Sequence, residues 1–191
     1  MTTVRTADRE AAEDVFFGQV VIIWARWFLI VAGAVLALWT THDSTALAVA
    51  VLPIVALMAM NFYLHGRYLM ERPSNRTQIT AASVLDLALI TALVILWHDD
   101  RAVGNGLANP FFIFYYPVLL AFAFVVPRRL TLLYTGLVVG IYAAACLPYL
   151  HGVVDAKVLA LRLVTLAAMG GLGTFYWRIQ RDRRRAALAA S

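Results

Sequence analysis

A chain of 191 residues that is 62% hydrophobic and 14% charged carries more apolar surface than a water-soluble domain of its size can bury. The formal net charge of +5 comes from arginines gathered in short polar segments, a pattern of membrane topology, so no nucleic-acid partner is inferred. A single cysteine, Cys146, excludes an intramolecular disulfide and any Cys-x-x-Cys metal or redox pair.

Crossing a hydrocarbon core takes roughly 20 helical residues. Polar punctuation marks off six apolar runs of about that length, in order Val20 to Trp39, Thr45 to Leu64, Ile79 to Trp97, Pro110 to Val126, Leu130 to Leu150 and Val158 to Trp177. Backbone facing lipid must satisfy its own hydrogen bonds, and the alternating polarity of a closed barrel is absent, so the runs are read as helices. The first run is interrupted by Arg26 and followed by no small-residue cleavage site, which distinguishes it from a signal peptide. The expected fold is all-α: an integral membrane bundle of six transmembrane helices over 16–178, a segment 1–15 before it and a basic tail 179–191 after it.

Orientation follows from arginine and lysine, which resist translocation in short loops. Arg67, Arg72 and Arg76 follow the second run, Arg128 and Arg129 the fourth, and Arg178, Arg181, Arg183, Arg184 and Arg185 the sixth; the opposite loops hold Arg101 and Lys157. Both termini are therefore expected in the cytoplasm.

Polar groups inside such spans are costly and mark structural or functional positions. Arg26, Asn61 and Asp86 fall at a similar depth in the first three runs. An Arg26–Asp86 pair supported by Asn61 can serve as a buried clamp or as a conformational or proton-sensitive switch; alternatively, Arg26 snorkels to the interface. Arg162, near the outer end of the sixth run, is read as snorkelling outward. Gly170, Gly171 and Gly173 lie within that run and suit close helix approach. No nucleotide loop and no Ser, His and Asp constellation is evident, so an enzyme is not expected.

Each outward loop pairs an imidazole with a carboxylate: His42 with Asp43, His98 with Asp99 and Asp100, His151 with Asp155. These are weak candidates for a Zn, Cu or Fe site or for pH sensing, and equally ordinary loop residues.

The segment Gly104 to Tyr116 is the most informative. Asn109 before Pro110 reads as a cap at a helix start, where the missing proline donor would have been unpaired anyway. Behind it crowd Phe111, Phe112, Phe114, Tyr115 and Tyr116, whose faces, beside an amide, suit the ring and carbonyl oxygens of a membrane quinone.

Arg26-Trp27, Asn61 with Tyr63, Leu85-Asp86-Leu87, Gly106 to Phe111 and Tyr116-Pro117 together resemble the membrane sensor region of bacterial histidine kinases. The resemblance is closest to the RegB/PrrB redox-sensing type and spans Val15 to Arg185. It implies six helices in the bacterial inner membrane, both ends cytoplasmic, and a Gly-Gly-x-x-Asn-Pro-Phe loop responsive to ubiquinone. In this sequence Asn105 replaces the first glycine of that loop, and Gly106, Asn109, Pro110 and Phe111 match the rest. With Tyr115 and Tyr116 they form the expected site for ubiquinone or menaquinone.

No phosphoacceptor helix or ATP-binding domain follows Arg185 in this sequence. Two expectations result: a non-enzymatic sensor module, able to form a homodimer and signal to a cytoplasmic protein, or an accessory subunit of a respiratory or photosynthetic membrane complex. A small transporter is disfavoured by the absence of paired repeats.

Overall fold

The computed structural model describes residues 2–70, 72, 74–97, 107 and 109–190, with side chains described over 19–70, 72, 74–75, 77–97, 107, 109–176, 179 and 183. Among the described residues, six α-helices run in chain order: α1 (Thr2–Thr40), α2 (Ser44–Leu69), α3 (Arg76–Leu96), α4 (Tyr115–Val125), α5 (Arg128–Cys146) and α6 (Val153–Ala190). Short 3-10 turns, Pro110–Phe114 and Leu147–Tyr149, precede α4 and follow α5. No strand occurs among the described residues.

Among the described residues, five segments are long and apolar enough to cross a membrane: Gln19–Thr40, Ser44–Leu69, Thr77–Leu96, Arg128–Tyr149 and Val153–Tyr176. The fourth run is not one continuous α-helix. It divides into a 3-10 turn and the 11-residue α4, and the reason is Pro117. A continuous α-helix from Pro110 would need the residue 117 N–H to bond the Ile113 carbonyl, which proline cannot do. The tighter turn spans Pro110–Phe114 instead. Pro148 likewise falls in the 3-10 turn that ends α5. The expected limits at residues 16 and 178 fall inside continuous helices, since α1 starts at Thr2 and α6 runs to Ala190.

Local chemistry sets the helix starts. Asp43 caps α2, its Oδ2 accepting from the Thr45 and Ala46 amides at 2.9 Å. Asn75 and Gln78 form a capping box on α3.

The bundle turns apolar side chains outward as well as inward. Trp24, Phe28, Val31, Val35 and Leu38 form an exposed stripe on α1 at steps of three and four, while Arg26 on the same helix is buried. Leu161, Val164, Leu172 and Phe175 are similarly exposed on α6. Apolar side chains outward and ionised ones inward is the arrangement favoured by a hydrocarbon solvent. The chain is a multi-pass helical membrane protein.

Short as it is, α4 occupies the centre, packing on α1, α3, α5 and α6. Tyr115, Val118, Leu119, Ala121, Phe122 and Ala123 are all buried. The Phe122 ring stacks on Tyr134 of α5 at 4.0 Å, and the Tyr134 hydroxyl donates to the Ser83 carbonyl of α3 at 2.8 Å. Helix α6 closes on this centre where it lacks side chains. A Cβ at Gly170 would collide with Thr135 of α5, and one at Gly173 with Ala123 of α4. Gly171 meets nothing within 4 Å, so two of the three glycines serve the close approach.

Candidate functional site

The structure brings Arg26 of α1 and Asp86 of α3 together. Nε and Nη2 of Arg26 donate to the same oxygen, Asp86 Oδ2, at 2.9 and 2.8 Å, and the two side chains are 1% and 4% exposed. Arg26 therefore turns inward and does not snorkel. Asn61 of α2 is buried nearby but binds the backbone, its Nδ2 donating to the Ile23 carbonyl at 3.2 Å, one turn before Arg26. Its contribution is to fasten α2 to α1 beside the ion pair.

A second buried amide belongs to the same face of α1 and went unremarked in the sequence. Gln19, two turns before Arg26, donates to the Leu64 carbonyl at 3.0 Å and accepts from the Ser74 amide at 2.8 Å. It ties α1 to the end of α2 and to the α2–α3 connection. The readable signal was the seven-residue spacing from Arg26, which puts both polar groups on one face.

At the opposite end of the bundle, Asn109 caps two helical elements with one amide. Its Oδ1 accepts from the Phe111 N–H at 2.8 Å, capping the 3-10 turn at whose first position Pro110 sits. Its Nδ2 donates at 3.0 Å to the carbonyl of Val94, in the last turn of α3, where carbonyls lack helical partners. Asn109 is buried, as are Phe111 and Tyr115. Phe111 packs edge-on against Trp97 at 5.3 Å, and Trp97 Nε1 donates to Thr41 at the end of α1 at 3.2 Å. The Tyr115 and Thr91 hydroxyls share a hydrogen bond of 2.9 Å. Asn109, Phe111 and Tyr115 thus form packed interior, with both ends of the Asn109 amide engaged within the protein. Gly106 lies outside the described residues.

Tyr116 is different. It stands half-buried with Phe112 on the outer side of the turn, its hydroxyl sharing a 2.6 Å hydrogen bond with Thr165 of α6. The Phe112 ring meets Tyr116 edge-on at 5.3 Å and lies 4.8 Å from Tyr142. Over its face sits Arg162 of α6, with Cζ 4.3 Å from the ring centroid and Nη1 donating to the Tyr142 hydroxyl at 2.7 Å. Arg162, expected to snorkel outward, is held against the bundle by cation–π attraction and a phenol oxygen. Arg162 is the sole Lys, Arg, Asp or Glu in the run Val158 to Trp177, a sequence signal for this cluster.

Chemically, the wall formed by Phe112, Tyr116, Arg162 and Thr165, with buried Tyr142 behind it, offers aromatic surface and the guanidinium N–H donors of Arg162. That set suits a flat molecule carrying carbonyl oxygens. The pocket among Leu29, Pro53, Ile54, Leu57, Leu89, Ile90, Leu93 and Phe114 is apolar, with free space about the size of one water molecule.

The histidine loops do not assemble a metal site among the described residues, where no three His, Cys, Asp or Glu side chains converge. Asp43 serves as the α2 cap, and Asp155 accepts from the His151 amide at 3.0 Å. His98, Asp99 and Asp100 lie outside the described residues. Comparison with protein-family models, with curated proteins and with solved structures returns no match to this chain.

Proposed function

We propose that this protein is a quinone-responsive sensor module of a bacterial cytoplasmic membrane, relaying the state of its outer aromatic wall to a cytoplasmic partner through α6. One observation carries the reading: Arg162 and Thr165, which complete the wall with Phe112 and Tyr116, stand on a helix that continues unbroken to Ala190. A molecule held on that wall touches both α6 and the entry to the central helix α4. A quinone carbonyl would accept from Arg162, and the ring would lie beside Phe112 and Tyr116. Only a difference in affinity between two packings of α4 and α6 can shift their balance. Asn109, Pro110 and Phe111 act behind the wall by setting where Phe112 and Tyr116 stand.

The proposed topology has six crossings and cytoplasmic termini. It is supported by the arginine distribution and by the length of the fourth segment. Five 3-10 and 11 α-helical residues rise roughly 26 Å, close to a hydrocarbon thickness of about 30 Å.

The test is photolabelling of the full chain in lipid nanodiscs with azido derivatives of ubiquinone and menaquinone. It is combined with spin-label distances between positions 129 and 187 under oxidised and reduced quinone. Labels mapping to residues 112–116 and 162–165, weakened several-fold in Arg162→Gln, with a tail distance that follows redox state, are expected. Unlabelled peptides and an invariant distance would remove the sensor reading. Recovery in fixed ratio with a larger electron-transfer complex would favour the accessory-subunit reading instead.

A further inference from the structure

Asp86 receives both Arg26 donors on one oxygen, and this asymmetry leaves atoms over. Arg26 Nη1 and Asp86 Oδ1 are buried without a hydrogen-bond partner, and so is Asn61 Oδ1, whose amide nitrogen is spent on Ile23. The three residues are 0–3% exposed and come from three different helices. Arg26 and the Ile23 carbonyl that holds Asn61 are separated by one turn of α1, a rise of about 4.5 Å. One buried donor and two buried acceptors therefore lie within about one turn of α1 of each other, and no described protein group satisfies them.

We infer that this junction of α1, α2 and α3 binds a water molecule, which accepts from Arg26 Nη1 and donates to Asp86 Oδ1 and Asn61 Oδ1. The occupant follows from its chemistry. The guanidinium and carboxylate charges cancel, so neither a cation nor an anion is favoured there. The missing partner must present one acceptor and two donors, and water does so at the smallest size. Burial of all three side chains excludes anything as large as a quinone head group. The water would connect Asn61, and with it α2, to the α1–α3 ion pair, a link that the direct hydrogen bonds do not make. This inference is independent of the proposed sensor function.

The experiment is water-edited solid-state NMR on the isotope-labelled full chain in lipid bilayers. It follows magnetisation from water protons to the Asp86 carboxyl carbon and the Arg26 guanidinium nitrogens, assigned with Asp86→Asn and Arg26→Lys. Transfer to both sites is expected in the wild type, and a fall of at least three-fold at Asp86 in Asn61→Leu, which removes one acceptor at similar volume. Absence of transfer to Asp86 and Arg26 in the wild type, while Arg128 and Arg129 receive it, would overturn the inference. Undiminished transfer in a folded Asn61→Leu would overturn it as well. Should that variant not fold, the wild-type spectrum alone decides.

Discussion

Arg26 and Asp86, sixty residues apart in sequence, meet in the interior of the bundle through a forked contact on one carboxylate oxygen, at 2.9 and 2.8 Å. The contact joins α1 to α3 in the buried interior, beside Asn61 of α2. Breaking such a pair from one side leaves an uncompensated buried charge, whereas removing both sides does not. Asp86→Ala is expected to destabilise the protein by about 3 kcal/mol, with part of the loss recovered in Arg26→Met/Asp86→Ala. Unfolding equilibria in lipid bicelles check this; an Asp86→Ala variant as stable as the wild type would refute it.

The glycines of α6 separate by what lies opposite them. Gly170→Ala and Gly173→Ala force a methyl group onto Thr135 and Ala123, and overpacking of this kind costs about 1–3 kcal/mol. Gly171→Ala points into open space and is expected to be neutral or stabilising by up to about 1 kcal/mol, through helix propensity. Melting temperatures of the three variants, measured in one detergent, should show two losses and one gain or no change.

Asn109 makes one hydrogen bond with each end of its amide, so substitutions divide its work. Asn109→Asp keeps the acceptor for the Phe111 N–H but loses the donor to the Val94 carbonyl, while Asn109→Ala loses both. Loss of a cap costs about 1 kcal/mol, and the orphaned buried carbonyl adds about 1 kcal/mol or more. Thermal unfolding should therefore rank the alanine variant below wild type by about 2 kcal/mol. A variant that loses quinone labelling while retaining full stability would return Asn109 to the role of a ligand contact.

Topology can be read by thiol labelling on a Cys146→Ala background. Cysteines introduced at His42 and His151 should react with a membrane-impermeant maleimide from outside, and those at Arg72, Arg128 and Ala187 only after permeabilisation. Outside labelling at position 128 would mean that the segment 110–125 does not cross.

The sequence by itself determined the solvent and the outline of the fold. Apolar runs interrupted by arginines can only be lipid-embedded helices, and against such a background Arg26, Asn61 and Asp86 are conspicuous as residues needing partners. The apolar runs placed two helix starts at Thr45 and Ile79, and the caps at Asp43 and Asn75 set them one and three residues earlier. The division of the fourth run was visible in Pro117, whose consequence for the preceding turn follows from its missing N–H. Tertiary structure alone decided how each helix is rotated about its own axis. In a soluble helix the apolar stripe reveals the buried face, but here lipid and core are both apolar, so Trp24 outside and Leu29 inside carry the same signature. For this reason the sequence could not distinguish buried Phe111 from half-buried Phe112, nor Gly170 against Thr135 from Gly171 in open space. It equally held no sign that Arg162 lies over an aromatic ring. Those choices depend on the shapes of neighbouring helices, because close packing takes the place that the hydrophobic effect holds in water.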